Sequence, residues 1–324
     1  MELWHACYNP LMEHELPTKE VETKTMKTEP KPSEFPTLEK AKDLILTPFD
    51  PAYQKVHSTK LEGKPRKVRT VFGPQEVLMI GPKHSYEPNL DENPMLAKTI
   101  EHIKDYLERV PKEKQLIMVE GFHDKKPYAQ PTLDESIRKG GEAQATVFIA
   151  QEAGVEVVSP EVDNKTVTEK CLAAGFSKED IALFYALRAV PGTIRSEKPL
   201  SQAALEGCLE AGLIDEQSAI EDHDRAAAEA ASLINQRAEA SLGRAFIAED
   251  PSASITSEES KSLLRPDPEG LVPARIGIEC NRARDEYILD TIDAAIKEGK
   301  SPLIVYGSSH LVCLRPALVY LYAD

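Results

Sequence analysis

Two apolar runs at opposite ends of the chain each end in the pattern Gly-x-x-His. The first run, VLMIGPKH, spans residues 77–84, and the second, LIVYGSSH, spans residues 303–310. Aliphatic and β-branched runs of this length are typical of buried strands in a parallel sheet, and glycine permits a sharp turn at the strand end. The pattern predicts an α/β fold with His84 and His310 beyond the carboxyl ends of two strands, where open α/β sheets place their sites.

A glutamate follows each of two further apolar runs. Residues 115–119, QLIMV, precede Glu120, and residues 155–158, VEVV, precede Glu161. The position of Glu120, between an apolar strand and a glycine, favours a functional role over a solvated strand-end charge. Glu161 suits a site and a solvated strand end equally well. Since parallel strands end at one edge of a sheet, we expect two histidines and two carboxylates to converge there.

Composition and periodicity divide the chain into four segments. Residues 1–45 are predicted to be a mobile tail, because the segment is rich in Pro, Glu, Lys and Thr. Residues 46–163 are predicted to form the first part of an α/β domain with a mostly parallel sheet and flanking helices, because strand-like runs alternate with helical spacing. Residues 164–258 are predicted to be a helical insertion, and residues 259–324 a linker and the second part of the α/β domain.

The insertion has two interpretations. It lacks buried-strand runs and carries a helix-capping pattern at residues 177–180, which predicts helices over the carboxyl edge of the sheet. It is either a lid over a pocket or an accessory subdomain that packs or forms a homo-oligomer. After it, Asp285 is predicted to be the N-cap of the last crossover helix. Arg284 either reaches the sheet edge to hold an anion or a developing oxyanion, or is a surface arginine.

Charge and cysteine usage limit the partners and the compartment. The formal net charge of −15 argues against nucleic acid or an anionic membrane as a partner. The five cysteines never form a Cys-x-x-Cys pair, which favours a reducing compartment. No apolar stretch approaches the roughly 18 to 20 residues that span a bilayer. We therefore expect a soluble, cytoplasmic protein without a membrane span.

The candidate site residues allow two kinds of chemistry. Imidazole titrates near neutral pH, so His84 or His310 could take a proton from water, and neutral imidazole also binds metals. A carboxylate beside it fixes its tautomer or completes a metal-ligand set. His123, three residues after Glu120, is either a further member of the site or an exposed loop residue, and its charged neighbours favour the loop.

These motifs, taken in order, resemble the erythromycin esterase/ChaN-like superfamily, with the segment 284–318 most similar to the TraB, PrgY, GumN and Tiki group. The resemblance covers residues 77–161 and 284–318, and the chain departs from the esterase pattern at Pro82-Lys83. It implies an α/β sheet with a pocket of two histidines and two glutamates. Activities in the group include macrolide ester hydrolysis, metal-dependent peptide cleavage, haem binding and inhibition of peptide pheromones.

The leading hypothesis is a hydrolase that cleaves a small-molecule ester or a peptide with metal assistance. Its catalytic residues would be His84, Glu120, His310 and Arg284. Its metal ligands would be His84, Glu120, Glu161 and His310, a set that suits Mn, Zn or Co better than a soft metal. The alternative is a protein that binds haem or a peptide in the same pocket without turnover.

Overall fold

A five-stranded sheet forms the centre of the computed structural model, which describes residues 36–121 and 131–323. Its strands are β1 (Arg66–Phe72), β2 (Gln75–Gly81), β3 (Gln115–Val119), β4 (Val157–Val158) and β5 (Ser301–Val305). They are arranged in the order β1-β2-β5-β3-β4, with β1 antiparallel to β2 and the remaining neighbours parallel. The mostly parallel α/β fold expected from the sequence is confirmed.

Twelve α-helices surround or extend this sheet within the described residues. They are α1 (Leu38–Lys42), α2 (Pro51–His57), α3 (Pro94–Arg109), α4 (Leu133–Glu152), α5 (Asn164–Ala173), α6 (Lys178–Arg195), α7 (Leu200–Glu210), α8 (Glu216–Glu221), α9 (His223–Leu242), α10 (Ser257–Leu263), α11 (Val272–Lys297) and α12 (Ser308–Tyr322). None of them is long and apolar enough to cross a membrane.

The sheet is covered on both faces because its central strands are apolar on both faces. Leu78 and Ile80 of β2 pack in one cluster with residues of α3 and α4. Val77 and Met79 point to the opposite face and pack with residues of α11 and α12. This arrangement explains the continuous apolar runs, since a strand covered on both faces cannot alternate apolar and polar residues.

The segment 164–258 forms helices α5 to α9 and the start of α10, with a hydrophobic core of their own. Helix α11 belongs to both cores. Ile276 and Cys280 in its first half pack with the helical segment, whereas Ile288 and Ile292 in its second half pack on the sheet. Because α11 leads into the amino end of β5, its first half lies toward the carboxyl edge of the sheet, which puts the helical segment at that end.

Three predicted boundaries differ from the structure. The predicted tail 1–45 contains α1, whose Ala41 is fully buried, and residues 1–35 lie outside the described residues. The linker predicted from residue 259 begins inside α10. The last crossover helix begins at Val272, with Pro273 in its first turn, so Asp285 lies in the middle of α11 and the predicted N-cap role is wrong.

The glycine of the first Gly-x-x-His motif lets the second motif approach it. A Cβ at Gly81 would lie 2.9 Å from Ser308 Cα and 3.1 Å from Leu311 Cβ, at the start of α12. We expect Gly81→Ala to lower the free energy of unfolding by about 1–3 kcal/mol, as overpacking does. Gly192→Ala is the control, since a Cβ there meets nothing within 4 Å. Equal urea midpoints for the two variants would contradict the close contact.

Candidate active site

The predicted site residues meet at the carboxyl edge of the sheet. His84 follows β2, Glu120 follows β3, Glu161 follows β4 and His310 follows β5. Strand β5 lies between β2 and β3, so the two Gly-x-x-His strands are direct neighbours. The backbone N–H of Tyr306 donates to the Ile80 carbonyl (3.2 Å), which keeps these strands paired to their ends.

His84 forms a carboxylate–imidazole pair with a residue outside the predicted set. Its Nδ1 is hydrogen-bonded to Glu142, whose second carboxylate oxygen accepts the N–H of Ser85 at 3.3 Å. Glu142 is buried, whereas the imidazole is largely exposed. The bond to Glu142 raises the pKa of His84, against the opposing effect of burial. Among the described residues, Nε2 of His84 has no hydrogen-bond partner and is free to meet a substrate.

A break in α4 brings Glu142 to His84. Gly140 and Gly141 have non-helical backbone angles, and Gly141 has φ +60°, so the helix restarts at Glu142. A Cβ at Gly141 would lie 2.7 Å from the carbonyl oxygen of Ser85, which leaves glycine as the residue that fits. The Gly-Gly-Glu sequence inside an otherwise helical stretch is therefore the signal that points to Glu142.

Glu120 and Glu161 share one arginine. Nη2 of Arg284 lies 3.3 Å from Oε1 of Glu120 and 3.0 Å from Oε1 of Glu161. The hydroxyl of Tyr306 accepts from Arg284 and donates to Glu161, both at 2.7 Å. Oε2 of Glu120 accepts the N–H of Gly307 at 2.7 Å, at the first turn of α12. The guanidinium therefore lies between the two carboxylates.

Burial and charge oppose each other in this network. Burial alone would raise the pKa of Glu161, but the charge of Arg284 and the bond from Tyr306 outweigh it and lower that pKa. The Arg284 guanidinium is itself held in its charged form, because its pKa is raised by Tyr306, Glu161 and Glu120 against the effect of burial. Glu161 is therefore ionised at neutral pH and paired.

His310 forms a second carboxylate–imidazole pair, deeper in the protein. Its Nδ1 lies 2.6 Å from Oδ1 of Asp285, which is almost completely buried. Burial raises the pKa of Asp285, and the neighbouring His310 opposes that effect. The His310 ring meets the Tyr306 ring edge to face, with centroids 4.9 Å apart. His310 is buried and supports Tyr306 and the turn at Gly307.

A cavity of about 260 Å³ adjoins the first pair. His84 and Tyr86 border it on one side, and Glu120, Gly121 and Tyr306 lie at the strand ends, with α4 completing the wall. Its acidic lining residues are Glu120 and Glu142, and His84 contributes an imidazole. None of the described residues that line it comes from the helical segment 164–258. Within residues 36–121 and 131–323, the helical segment therefore does not form a lid directly over this cavity.

One residue that lines this cavity has a buried polar atom without a partner among the described residues. Gln144, one turn after the break in α4, lines the cavity, and its Oε1 is buried without a hydrogen-bond partner in the structure. A buried acceptor without a partner costs free energy.

The residues present do not fit the predicted metal site as they are arranged. Within residues 36–121 and 131–323, no three His, Cys, Asp or Glu side chains are grouped so that they could hold a metal ion. The physical reason is Arg284, whose guanidinium already bonds to both Glu120 and Glu161. A cation of the protein itself lies between the two carboxylates that the prediction assigned to a metal.

The structure therefore brings together Glu120, Glu161 and Arg284 around Tyr306, with His84 across the cavity and His310 behind Tyr306. Sequence reasoning missed Glu142 and Tyr306, and it identified Asp285 only as a cap. His123 lies outside the described residues.

Comparisons with protein-family models, with curated proteins and with solved structures found no match for this chain. The superfamily resemblance therefore remains a prediction based on the motifs and their order.

Proposed function

We propose that the chain is a hydrolase in which His84 activates water against an ester or peptide carbonyl bound in the cavity beside it. The observation that carries this proposal is the His84–Glu142 pair. A buried carboxylate on Nδ1 fixes the tautomer that leaves the Nε2 lone pair toward solvent, which is the arrangement a general base needs.

The proposed reaction uses groups of the chain alone. His84 Nε2 takes a proton from water, the resulting hydroxide adds to the carbonyl carbon, and Glu142 stabilises the imidazolium. His84 then returns the proton to the leaving alcohol or amine as the bond to the carbonyl carbon breaks. Because Arg284 is bonded to Glu120, Glu161 and Tyr306, we assign it to holding these groups in place instead of contacting the oxyanion.

Charge and size support an uncharged substrate group. The two acidic residues that line the cavity, Glu120 and Glu142, would repel a phosphate or carboxylate. The volume of about 260 Å³ suits a small reacting group better than a haem ring.

The test is a screen of uncharged nitrophenyl esters and fluorogenic peptides with the purified full chain, with EDTA and with added Mn, Zn or Co. Turnover that survives EDTA supports the metal-free reaction. Turnover that needs a stoichiometric metal would instead support the metal-assisted version, and absence of turnover together with a tightly bound peptide would support the binding alternative.

We keep the cytoplasmic location as part of the proposal, because the described cysteines are all free thiols.

The pH dependence distinguishes this base from an unpaired histidine. His84 must be neutral to act as a base, and the bond to Glu142 raises its pKa above the ordinary value of about 6.5. The pH profile of kcat/KM should therefore have a rising limb whose midpoint lies above that ordinary value. In Glu142→Gln the limb should move to lower pH and the plateau should fall. Glu152→Gln, an exposed position on the same helix, is the control. An unmoved limb in Glu142→Gln would exclude His84 as the base.

A further inference from the structure

Two buried cysteines lie next to each other although 109 positions separate them in the sequence. Cys171 is in α5 and Cys280 is in α11, and their Sγ atoms are 3.9 Å apart. Their exposed fractions are 0% and 3%. An ion pair of 2.6 Å between Lys170 and Glu286 holds the same two helices together nearby. The scattered cysteines of the sequence thus include one pair that the fold brings into contact.

A small cavity leads to this pair. Cys280 lines a cavity of about 190 Å³ together with Arg188 and Arg284, and Cys171 lies directly behind it. The bond with Cys171 and burial raise the pKa of the Cys280 thiol well above its ordinary value, and the charges of Arg188 and Arg284 offset only part of that effect. The S–H···S contact with Cys280 lowers the pKa of Cys171. A small molecule that enters this cavity would meet the Cys280 sulfur, which is in contact with the Cys171 sulfur.

We propose that Cys171 and Cys280 are an oxidation site that closes to a disulfide when the protein meets a peroxide. The bond would link α5, the first helix of the helical segment, to α11. Arg284, which holds Glu120 and Glu161, lies one turn after Cys280 on α11. Oxidation would therefore fix the helical segment to the helix that organises the carboxylates of the site.

The chemistry balances with hydrogen peroxide as the oxidant. The Cys280 sulfur, which lines the cavity, attacks one peroxide oxygen, the O–O bond breaks, and the departing hydroxide takes the Cys280 proton and leaves as water. The Cys171 sulfur then attacks the Cys280 sulfur, the S–S bond forms and the S–O bond breaks. The second hydroxide takes the proton of the Cys171 thiol. Two thiols are oxidised by two electrons, and one peroxide is reduced to two waters.

The test uses the full reduced chain, held folded in native buffer with dilute hydrogen peroxide. Thiols are then alkylated under denaturing conditions and counted by intact mass, and a peptide map is made without reductant. We expect two fewer alkylated thiols than in the untreated chain, a peptide linking Cys171 to Cys280, and reversal by dithiothreitol. The denaturant midpoint of the oxidised chain should be higher, because the link constrains a long loop of the unfolded chain.

Cys208→Ala is the matched control, since this buried cysteine lies on α7 in the same helical core. It should still form the linked peptide, whereas Cys280→Ala should lose it. An unchanged thiol count in the folded wild-type chain, or a link that joins other cysteines, would overturn the proposal. The readouts are mass and stability, so they stand whether or not hydrolysis is found.

Discussion

Replacing His84 with asparagine is expected to reduce kcat/KM by about 10²- to 10⁴-fold, the usual contribution of a general base. Asparagine keeps a side-chain N–H for the buried carboxylate of Glu142 but has no basic nitrogen in the position of Nε2. The melting temperature should therefore stay close to that of the wild-type chain. His84→Ala should lose the same activity and also some stability, because Glu142 then keeps only the N–H of Ser85.

His102→Asn is the control for this comparison, since His102 lies on α3 and does not line the cavity. It should leave kcat/KM and the melting temperature unchanged. The measurement is steady-state kinetics on whichever ester or peptide the screen identifies, with thermal unfolding of the same preparations. Wild-type kcat/KM in His84→Asn would remove His84 from the reaction and with it the proposed mechanism.

Replacing Arg284 with methionine is expected to lower the free energy of unfolding by about 3 kcal/mol at pH 7, as the loss of one partner of a buried ion pair does. Glu120 and Glu161 would be left close together without their shared cation, and their side chains are only 23% and 18% exposed. Methionine keeps the apolar stem of arginine, so the loss reports the charge more than the packing.

The pH dependence of this loss has a definite sign. The pKa of Glu161 is lowered in the folded chain, so its ion pair stabilises the fold above the unfolded pKa of about 4.3 and the effect disappears as pH falls through the folded pKa. The difference between wild type and Arg284→Met should therefore shrink in acid. Arg282→Met, an exposed neighbour paired with Glu286, should cost less than about 1 kcal/mol. Equal losses in urea unfolding of the two variants would contradict the buried pairing.

The strands and the edge where the site lies could be predicted because they depend on local patterns. A continuous apolar run that ends at or next to a glycine marks a strand end, which was enough to place His84 and Glu120 beyond the ends of β2 and β3. The order of the strands could not be obtained this way. Parallel strands are joined by long crossovers, so no short turn in the sequence indicates which strands are neighbours. The position of β5 between β2 and β3 therefore could not be predicted from local patterns.

The partners of the site residues were harder to predict than the residues themselves. Glu142 lies on the second half of a broken helix, and its contact with His84 depends on how closely α4 approaches the loop at Ser85. Asp285 was predicted to be a cap because the helix was expected to begin there, whereas α11 starts 13 residues earlier (285 minus 272). The two glutamates were assigned to a metal because the sequence does not show that one arginine reaches both.

Helix α11 contributes to two hydrophobic cores, and this has a consequence for how the protein unfolds. Its first half contributes Ile276 and Cys280 to the helical core, and its second half contributes Ile288 and Ile292 to the core under the sheet. Opening either core would expose part of the same helix and weaken its hold on the other. The two layers should therefore lose amide protection in hydrogen exchange as one cooperative unit, although the sheet and the helical segment look like separable pieces along the chain.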